Sequence, residues 1–142
     1  MTSELVSLIT QIKVSSTLDK SVGKKHLVDG SPETCWTSQQ GLPQFIQLSF
    51  EKAVVPKRIS IVFQGGFVGT SCTVLVPLPS GEWQNITNIY PDDVNRRQAF
   101  DLHPISSEST GITTIKLLFE ESSDFFGRVT IYDLNIEGLV VA

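Results

Sequence analysis

The chain contains little cysteine and no long apolar run. Its 142 residues include two cysteines, Cys35 and Cys72, which are too few for a disulfide framework or a zinc site, so both are expected to be free, buried thiols. The apolar stretch Leu5–Ile9 is short and interrupted by Ser7, and the sequence therefore predicts no signal peptide and no transmembrane span. We expect a location in the nucleus or the cytoplasm rather than secretion.

Positive charge is also scarce. The chain has 11 lysine and arginine residues against 15 aspartate and glutamate residues, which gives a net charge of −4. Its basic runs are no longer than Lys24–His26 or Lys57–Arg58. A protein that binds nucleic acid through the phosphates needs a basic stripe or patch. A polybasic membrane anchor is missing for the same reason. The sequence thus argues against direct binding to nucleic acid or to a membrane.

Catalytic signatures are lacking as well. The chain has no Gly-x-Ser-x-Gly elbow, no His-Glu-x-x-His motif and no phosphate-binding loop. Its two histidines, His26 and His103, have no sequence context of a nucleophile or a metal triad. The adjacent carboxylates of Asp92 and Asp93 would point apart in an extended segment and are expected to be solubilising turn residues. We therefore expect a non-catalytic protein.

The chain has enough apolar residues to form one hydrophobic core. Hydrophobic residues make up 40% of the sequence and charged residues 18%, a balance that excludes a disordered chain. A domain of this length buries about two-thirds of the surface that its unfolded chain exposes, so it can fold without disulfide or metal support. We expect a single domain over residues 1–142.

Alternation of apolar and polar residues is the main structural signal. It predicts half-buried strands, and no long amphipathic helix separates them, only short helical turns near residues 23–28 and 106–110. This order predicts an all-β antiparallel sandwich or barrel rather than βαβ units. The clear strands are Gln44–Phe50, Arg58–Gln64, Cys72–Val76 and Ile115–Phe119, and the weaker ones are Ile12–Ser16, Trp83–Tyr90 and Gln98–Leu102.

The last predicted strand changes its parity. Its apolar positions begin with Val129 and Ile131 and continue with Leu134 and Ile136, so one residue too many lies between the two pairs. An antiparallel strand tolerates such a change through a β-bulge, here at residues 132–133. A bulge either aims a side chain or carbonyl at a site or simply lets the strand curve, and the sequence leaves both readings open.

The densest motif is the loop around Asp29. Asp29-Gly30 predicts a tight turn that Pro32 stiffens, and the oxygen-bearing side chains of Asp29 and Thr34 flank it. A Ca²⁺ ion needs about six to eight oxygen ligands, of which only one or two have to be carboxylates, and backbone carbonyls could supply others. Alternatively, the Asp and Thr side chains close the turn through hydrogen bonds to backbone N–H groups without any metal.

The spacing Asp29-Gly30-x-Pro32-x-Thr34-x-Trp36-x-Ser38 resembles the signature loop of discoidin-type domains, also called coagulation-factor C-type domains, of the galactose-binding-like superfamily. The resemblance covers nearly the whole chain and implies an antiparallel β-sandwich jelly roll. It also implies one structural Ca²⁺ under the loop. The ligands that it implies are the carbonyls of His26 and Ser31, the side chains of Asp29 and Thr34, the Tyr132 carbonyl and the Asp133 side chain, where the family often has Glu.

A closer resemblance rests on four segments. They are Gly23–Leu27, Glu33–Trp36, Val62–Phe67 and Asp124–Tyr132. These segments resemble a small family of nuclear-receptor-associated proteins. The resemblance implies a nuclear protein that binds an orphan (testicular) nuclear receptor and represses transcription by interfering with the receptor's binding to its DNA element. The segment Val68–Asn95 matches that family poorly.

Two loops supply candidate contact residues for a protein partner. Phe67 and Val68 follow a glycine pair and are either exposed contacts or a loop that folds back over the end of the sandwich. Phe125 and Phe126 are adjacent and cannot both point inward from an extended segment. Arg128 pairs either with a carboxylate of the partner or with the protein itself, for example with the nearby residue Asp124.

Two other functions remain open from the sequence. The superfamily's usual role suggests a carbohydrate-binding module, which would need exposed aromatic platforms with polar neighbours at the loop end. The Doc-type domain of the anaphase-promoting complex has a similar loop, and it suggests a subunit that recruits substrates or supports an assembly. Fold analogy alone does not separate these roles.

Overall fold

The structure is a computed structural model that describes residues 2–105 and 110–141. The described residues form nine strands and three short 3₁₀ turns, and the all-β prediction is confirmed. The strands are β1 (Ser3–Glu4), β2 (Ile9–Val14), β3 (Trp36–Thr37), β4 (Gln44–Phe63), β5 (Ser71–Pro77), β6 (Trp83–Ile89), β7 (Arg97–Asp101), β8 (Ile112–Glu121) and β9 (Thr130–Val140). The 3₁₀ turns are Val6–Leu8, Lys20–Val22 and Lys24–Leu27.

One of the predicted helical turns is present, at Lys24–Leu27. The other was expected near residues 106–110, and residues 106–109 lie outside the described part of the chain. In the described ranges, no helix has the length and apolar character that crossing a membrane would require.

Strand β4 connects the two layers of the sandwich. Its first half pairs with β2 and β8, and its second half pairs with β7 and β9, all antiparallel. The sequence predicted two separate strands here because the alternation stops at residues 51–53. The chain instead stays extended through this segment and passes from one sheet into the other, with a shift in its β8 register between Ser49 and Val54.

The core lies between the two layers, and the inward positions of the strands fill it. Apolar side chains alternate with half-exposed ones along β4, β5 and β8, as period two requires. Trp36 is fully buried, and its indole Nε1 donates a hydrogen bond to the Ser16 carbonyl at 3.1 Å. The largest fully buried side chains include Trp36, Ile46, Leu48, Ile59, Ile61, Phe63, Ile115, Leu117, Phe119 and Ile131.

The bulge predicted from parity in β9 is confirmed. Val62 of β4 pairs with Asp133, whereas the next residue, Phe63, pairs with Ile131, so Tyr132 has no partner in the register. The side chains that face the core therefore change from odd positions, up to Ile131, to even positions, from Leu134 onward, and they stay buried. Because of the bulge, Tyr132 and Asp133 are both only partly buried next to the end of β4.

The two cysteines are free thiols, as expected, but their burial differs. Cys72 is buried in β5, and burial raises the pKa of its thiol. Cys35 was also expected to be buried and is only half-buried, since it precedes Trp36 and faces the opposite side of the chain.

Candidate functional site

Three connections meet at one end of the sandwich. They are the segment before β4 and the loops after β4 and after β8. The Gly41 N–H donates to the Phe126 carbonyl at 2.8 Å, and the Ser123 N–H donates to the Val68 carbonyl at 2.9 Å. Backbone bonds of this kind hold the three connections in one unit, which we call the loop end.

Asp93 adds a side-chain connection to the loop end. Its Oδ1 accepts hydrogen bonds from the Gly66 N–H at 2.8 Å and from the Ser123 hydroxyl at 3.2 Å. The sequence suggested a solubilising turn residue here. Asp93 is exposed in a bend, in line with that expectation, and its hydrogen bonds in addition link segments about thirty positions apart in sequence.

The most exposed apolar side chains of the loop end form what we call the aromatic tip, which consists of Leu42, Phe125 and Phe126. Phe125 is 94% exposed and Phe126 is 53% exposed, and their rings meet edge to face with centroids 5.3 Å apart. Leu42 is also exposed and lies beside Gly127. The two phenylalanines were predicted from their adjacency, whereas Leu42 gave no sequence signal.

Arg128 is bound within its own loop rather than free for a partner. Its Nε donates to Asp124 Oδ2 at 2.9 Å, and its backbone N–H donates to the same oxygen at 3.0 Å. The Arg128 guanidinium lowers the pKa of the Asp124 carboxyl, and Asp124 in turn raises the pKa of Arg128. The sequence left open whether Arg128 pairs with a carboxylate of a partner or with the protein itself. In the structure it pairs with Asp124 of its own loop.

Arg128 also supports the aromatic residues of the loop end. Its Cζ lies 5.0 Å from the ring centroid of Phe67 and 5.8 Å from that of Phe126, both within the range of a cation–π contact. Phe67 is half-buried under the guanidinium. Arg128 thus positions Phe67 and Phe126, and its charge is already balanced by Asp124.

Val68 has to be removed from the predicted contact surface. Its side chain is fully buried. Gly66 adopts a positive φ of 88°, so the chain reverses there, and the alternation that follows leaves Phe67 outside and turns Val68 into the core. The Ser123 hydroxyl accepts the Val68 N–H at 2.9 Å and fixes this arrangement.

The predicted metal loop is closed by hydrogen bonds to one carboxylate. Asp29 Oδ1 accepts the Ser31 N–H at 3.0 Å, while Oδ2 accepts the Thr34 hydroxyl at 2.7 Å and lies 2.8 Å from His26 Nδ1. These bonds, that of Thr34 above all, lower the pKa of Asp29 from 3.8 to about 2. Gly30 has a φ of +73°, the conformation that the turn needs.

The loop half of the predicted calcium site has suitable donors. Asp29 Oδ2 lies 2.7 Å from Thr34 Oγ1, and Thr34 Oγ1 lies 3.4 Å from the Ser31 carbonyl oxygen. Oxygens that share one Ca²⁺ ion lie about 3 Å apart. Within residues 2–105 and 110–141, no three His, Cys, Asp or Glu side chains gather in one place, so a cation here would depend on hydroxyl and carbonyl oxygens.

The strand half of that site is engaged with an arginine. Asp133 Oδ2 accepts a hydrogen bond from Arg97 Nη2 at 2.5 Å, and Arg97 Nη1 donates to the Ser60 hydroxyl at 2.8 Å. A cation held by both Asp29 and Asp133 would require this ion pair to open. The sequence gave no signal for Arg97, because it lies 36 residues from Asp133.

The comparisons with known proteins address the family directly. No family model matches the chain. Nuclear receptor 2C2-associated protein of Danio rerio is 38% identical over 97% of this chain and 97% of its own length. The human protein of that name is also 38% identical, over 97% of this chain and 98% of its own length.

The chain belongs to the nuclear receptor 2C2-associated protein family. The resemblance that the four sequence segments carried is thereby confirmed over nearly the whole length.

Solved structures similar to this family member show the fold. The family 32 carbohydrate-binding module of NanJ from C. perfringens, in complex with galactose, superposes with a TM-score of 0.77 over 96% of this chain and 99% of its own, at 18% identity. The galactose-binding-like β-sandwich predicted from the Asp29 loop is therefore confirmed. At this identity the likeness is evidence for the architecture alone.

Proposed function

We propose that this member of the nuclear receptor 2C2-associated protein family associates with a nuclear receptor through its aromatic tip. The role is non-catalytic, takes place in the nucleus, and represses transcription by interfering with the receptor's binding to DNA. The observation that carries the proposal is the exposed pair Phe125 and Phe126 on a loop that the Arg128–Asp124 pair holds. The name of the relatives, nuclear receptor 2C2-associated protein, supports a receptor as the partner.

The aromatic tip has the physical character of a binding anchor. Burying one exposed phenylalanine side chain contributes about 2–3 kcal/mol, and aromatic residues are among the groups that dominate the energy of interfaces. The backbone bonds to Gly41 and the support from Arg128 fix the tip before binding, so little conformational entropy is lost when a partner covers it. Leu42 widens the apolar surface beside the two rings.

The charge of the protein supports a mechanism through the receptor rather than through DNA. A net charge of −4 makes contact with a phosphate backbone unfavourable. Interference with DNA binding would then come from holding the receptor in a state or complex that does not bind its element.

The proposal is tested with the purified receptor named in its relatives, nuclear receptor 2C2, and this protein. We expect the double variant Phe125→Ala/Phe126→Ala to weaken binding at least about tenfold, measured by biolayer interferometry, because both anchors are lost. The matched control is Trp83→Ala, which removes an exposed aromatic residue of β6. Arg128→Ala should weaken binding and also lower the melting temperature, because Asp124 loses its partner.

Two further readouts decide between the candidate functions. A gel-shift assay with the receptor's DNA element should show less receptor–DNA complex in the presence of the wild-type protein and no such loss with the double variant. A glycan array with the same proteins tests the carbohydrate alternative. Binding to galactose-type glycans without binding to the receptor would overturn the proposal, as would receptor binding that the double variant leaves unchanged.

A further inference from the structure

Ser31 is followed directly by a proline. The chain has seven prolines, and Pro32 is the only one of them that follows a serine or a threonine. Proline has no backbone N–H group, so a kinase that selects proline after the residue it modifies needs no acceptor at that position. The Ser31–Pro32 pair is a substrate for such a kinase if the folded loop presents it.

The loop that carries Ser31 is accessible. Residues 28–35 belong to no helix or strand. Gly30, Pro32 and Glu33 are exposed, and Ser31 is half-buried. A residue before proline avoids the helical region and favours an extended backbone, which is the form in which a kinase binds the segment that it modifies. The local structure therefore suits a kinase substrate.

The Ser31 hydroxyl is available for a transfer reaction. Its Oγ accepts the Glu33 N–H at 3.3 Å, a long hydrogen bond that closes a local turn. In the described part of the chain, the Ser31 O–H donates to no acceptor. Replacing the hydroxyl proton with a phosphoryl group therefore breaks no donor bond, and a phosphate oxygen can accept the Glu33 N–H instead.

A cavity of about 280 Å³ lies between the Ser31 loop and the sheet. Its lining consists of three neighbouring loop residues and one residue each from β4, β7 and β9, which are Gly30, Ser31, Pro32, Val62, Arg97 and Asp133. A single water molecule occupies roughly 30 Å³, so the cavity has room for a phosphate group. A phosphate on Ser31 would thus share one small cavity with the Arg97 guanidinium.

Arg97 is the cation of this cavity. Its Nη2 donates to Asp133 Oδ2 at 2.5 Å, and its Nη1 donates to the Ser60 hydroxyl at 2.8 Å. A guanidinium has five N–H donors, and within residues 2–105 and 110–141 the Arg97 side chain uses only these two. The side chain is 49% exposed. Arg97 therefore has donors left for the charge-assisted hydrogen bonds that a phosphate accepts.

We infer that Ser31 is a phosphorylation site for a proline-directed protein kinase and that the phosphoserine binds Arg97. In the reaction, the Ser31 hydroxyl oxygen bonds to the γ-phosphorus of ATP, the bond from that phosphorus to the β–γ bridging oxygen breaks, and ADP leaves. The hydroxyl proton passes to the catalytic carboxylate of the kinase. The added phosphate carries about two negative charges and joins the loop to β7 through the guanidinium.

The first test treats the folded, full-length protein with a cyclin-dependent kinase, its cyclin and radiolabelled ATP. We expect incorporation of about one phosphate per chain, which mass spectrometry of the peptides should locate at Ser31. Ser31→Ala should reduce the incorporation at least about tenfold because the acceptor is lost, and Pro32→Ala should do the same because the new N–H has no acceptor in the kinase.

The matched control for this test is Ser80→Ala. Ser80 is exposed and its Oγ accepts the Glu82 N–H at 3.4 Å in the same kind of turn, but glycine follows it instead of proline. This variant should incorporate as much phosphate as the wild-type protein. Incorporation that Ser31→Ala leaves unchanged would overturn the site, as would incorporation that takes place only after the protein has been heat-denatured.

A second test examines the contact with Arg97. Phosphorylation should raise the melting temperature of the wild-type protein by about 2 °C, measured by differential scanning fluorimetry in the presence of a chelator. In Arg97→Gln, the same modification should lower the melting temperature, because the phosphate then shares the cavity with the Asp133 carboxylate and lacks the guanidinium.

The control for the second test is Arg58→Gln. Arg58 also pairs with an aspartate, Asp101, but it does not line this cavity, so the rise in melting temperature should persist in this variant. Equal rises in Arg97→Gln and in the wild-type protein would reject Arg97 as the partner of the phosphate.

The phosphorylation site does not depend on the aromatic tip. The double variant Phe125→Ala/Phe126→Ala should therefore be phosphorylated as fully as the wild-type protein. Phosphorylation of Ser31 in a protein that does not bind the receptor would reject the proposed function and keep the site. Receptor binding by a protein that the kinase does not modify would do the reverse.

Discussion

Two aspartates, Asp29 and Asp124, each hold a loop by accepting hydrogen bonds from residues within five positions of their own. Asp29 accepts from the Ser31 N–H and the Thr34 hydroxyl, and Asp124 accepts from the backbone and side chain of Arg128. Both carboxyls have lowered pKa values, with hydrogen bonds as the largest cause. At the residue scale, these short-range bonds shape the two loops that carry the candidate sites.

Lowering the pH should reduce the stability of the folded protein, because the Asp29 carboxylate becomes protonated. The pKa of its carboxyl is about 2 in the folded protein against an ordinary value of 3.8, so the folded state favours the ionised form. Its contribution is complete above pH 3.8 and is lost as the pH falls toward about 2. In Asp29→Asn, the melting temperature should therefore depend less on pH in this window, measured by differential scanning fluorimetry.

The control for this prediction is Asp92→Asn. The hydrogen bonds of Asp92 to Gln98 use the Asp92 backbone, so the substitution leaves them in place. If Asp29→Asn and the wild-type protein lost stability equally between pH 4 and pH 2, the bonds to Thr34 and Ser31 would not be the source of the dependence.

At the scale of elements, β4 and β9 determine how the two sheets meet. The two strands lie close together at Gly138, where an added Cβ atom would lie 2.2 Å from the Val55 carbonyl oxygen. The obstacle is backbone, so a side-chain rotation cannot relieve it. The φ of Gly138 is not positive, so any residue could adopt its backbone conformation. Glycine is needed there because the two strands lie too close together for a Cβ atom.

The variant Gly138→Ala should destabilise the protein by about 3 kcal/mol, because β9 has to move away from β4 and disturb the pairing of Val55 with Leu139. Urea unfolding followed by tryptophan fluorescence measures this change in the free energy of unfolding. Gly23→Ala is the control. Its added Cβ has an ordinary contact, 3.8 Å from the Lys20 carbonyl oxygen, and the expected change is within about 0.5 kcal/mol.

At the scale of the whole molecule, the Asp29 loop and the closing strand β9 come from opposite ends of the sequence. In the structure, Arg97 binds Asp133, while the Asp29 carboxylate binds its own loop. A cation that joined the two segments would replace the Arg97 contact and would fix the loop to the sandwich. The calcium ion therefore stays a prediction with a clear competitor, the Arg97 guanidinium.

We expect Ca²⁺ to raise the melting temperature of the wild-type protein and a chelator to lower it, because the ion binds the folded loop. Asp29→Asn should remove the response. Arg97→Gln frees the Asp133 carboxylate and should increase the rise in melting temperature that Ca²⁺ causes. Differential scanning fluorimetry with and without the ion measures both. A wild-type melting temperature that neither Ca²⁺ nor chelator changes would contradict the prediction.

The sequence by itself determined most of the longer strands, the bulge and the Asp29 turn. Alternation predicted β5 and β8 because burial of one sheet face selects every second residue, and the parity change from Ile131 to Leu134 located the bulge. These signals are local, since they come from neighbours along the chain. The adjacency of Phe125 and Phe126 predicted an exposed aromatic for the same reason.

Only the tertiary structure decided which groups remain available at the sites. Arg97 meets Asp133, and Glu4 faces Glu137, across separations that no local pattern encodes. Val68 was predicted as a contact and is buried, because the loop closes against Ser123. Strand pairing brings together residues far apart in sequence, and it thereby sets which charges are neutralised and which side chains face solvent.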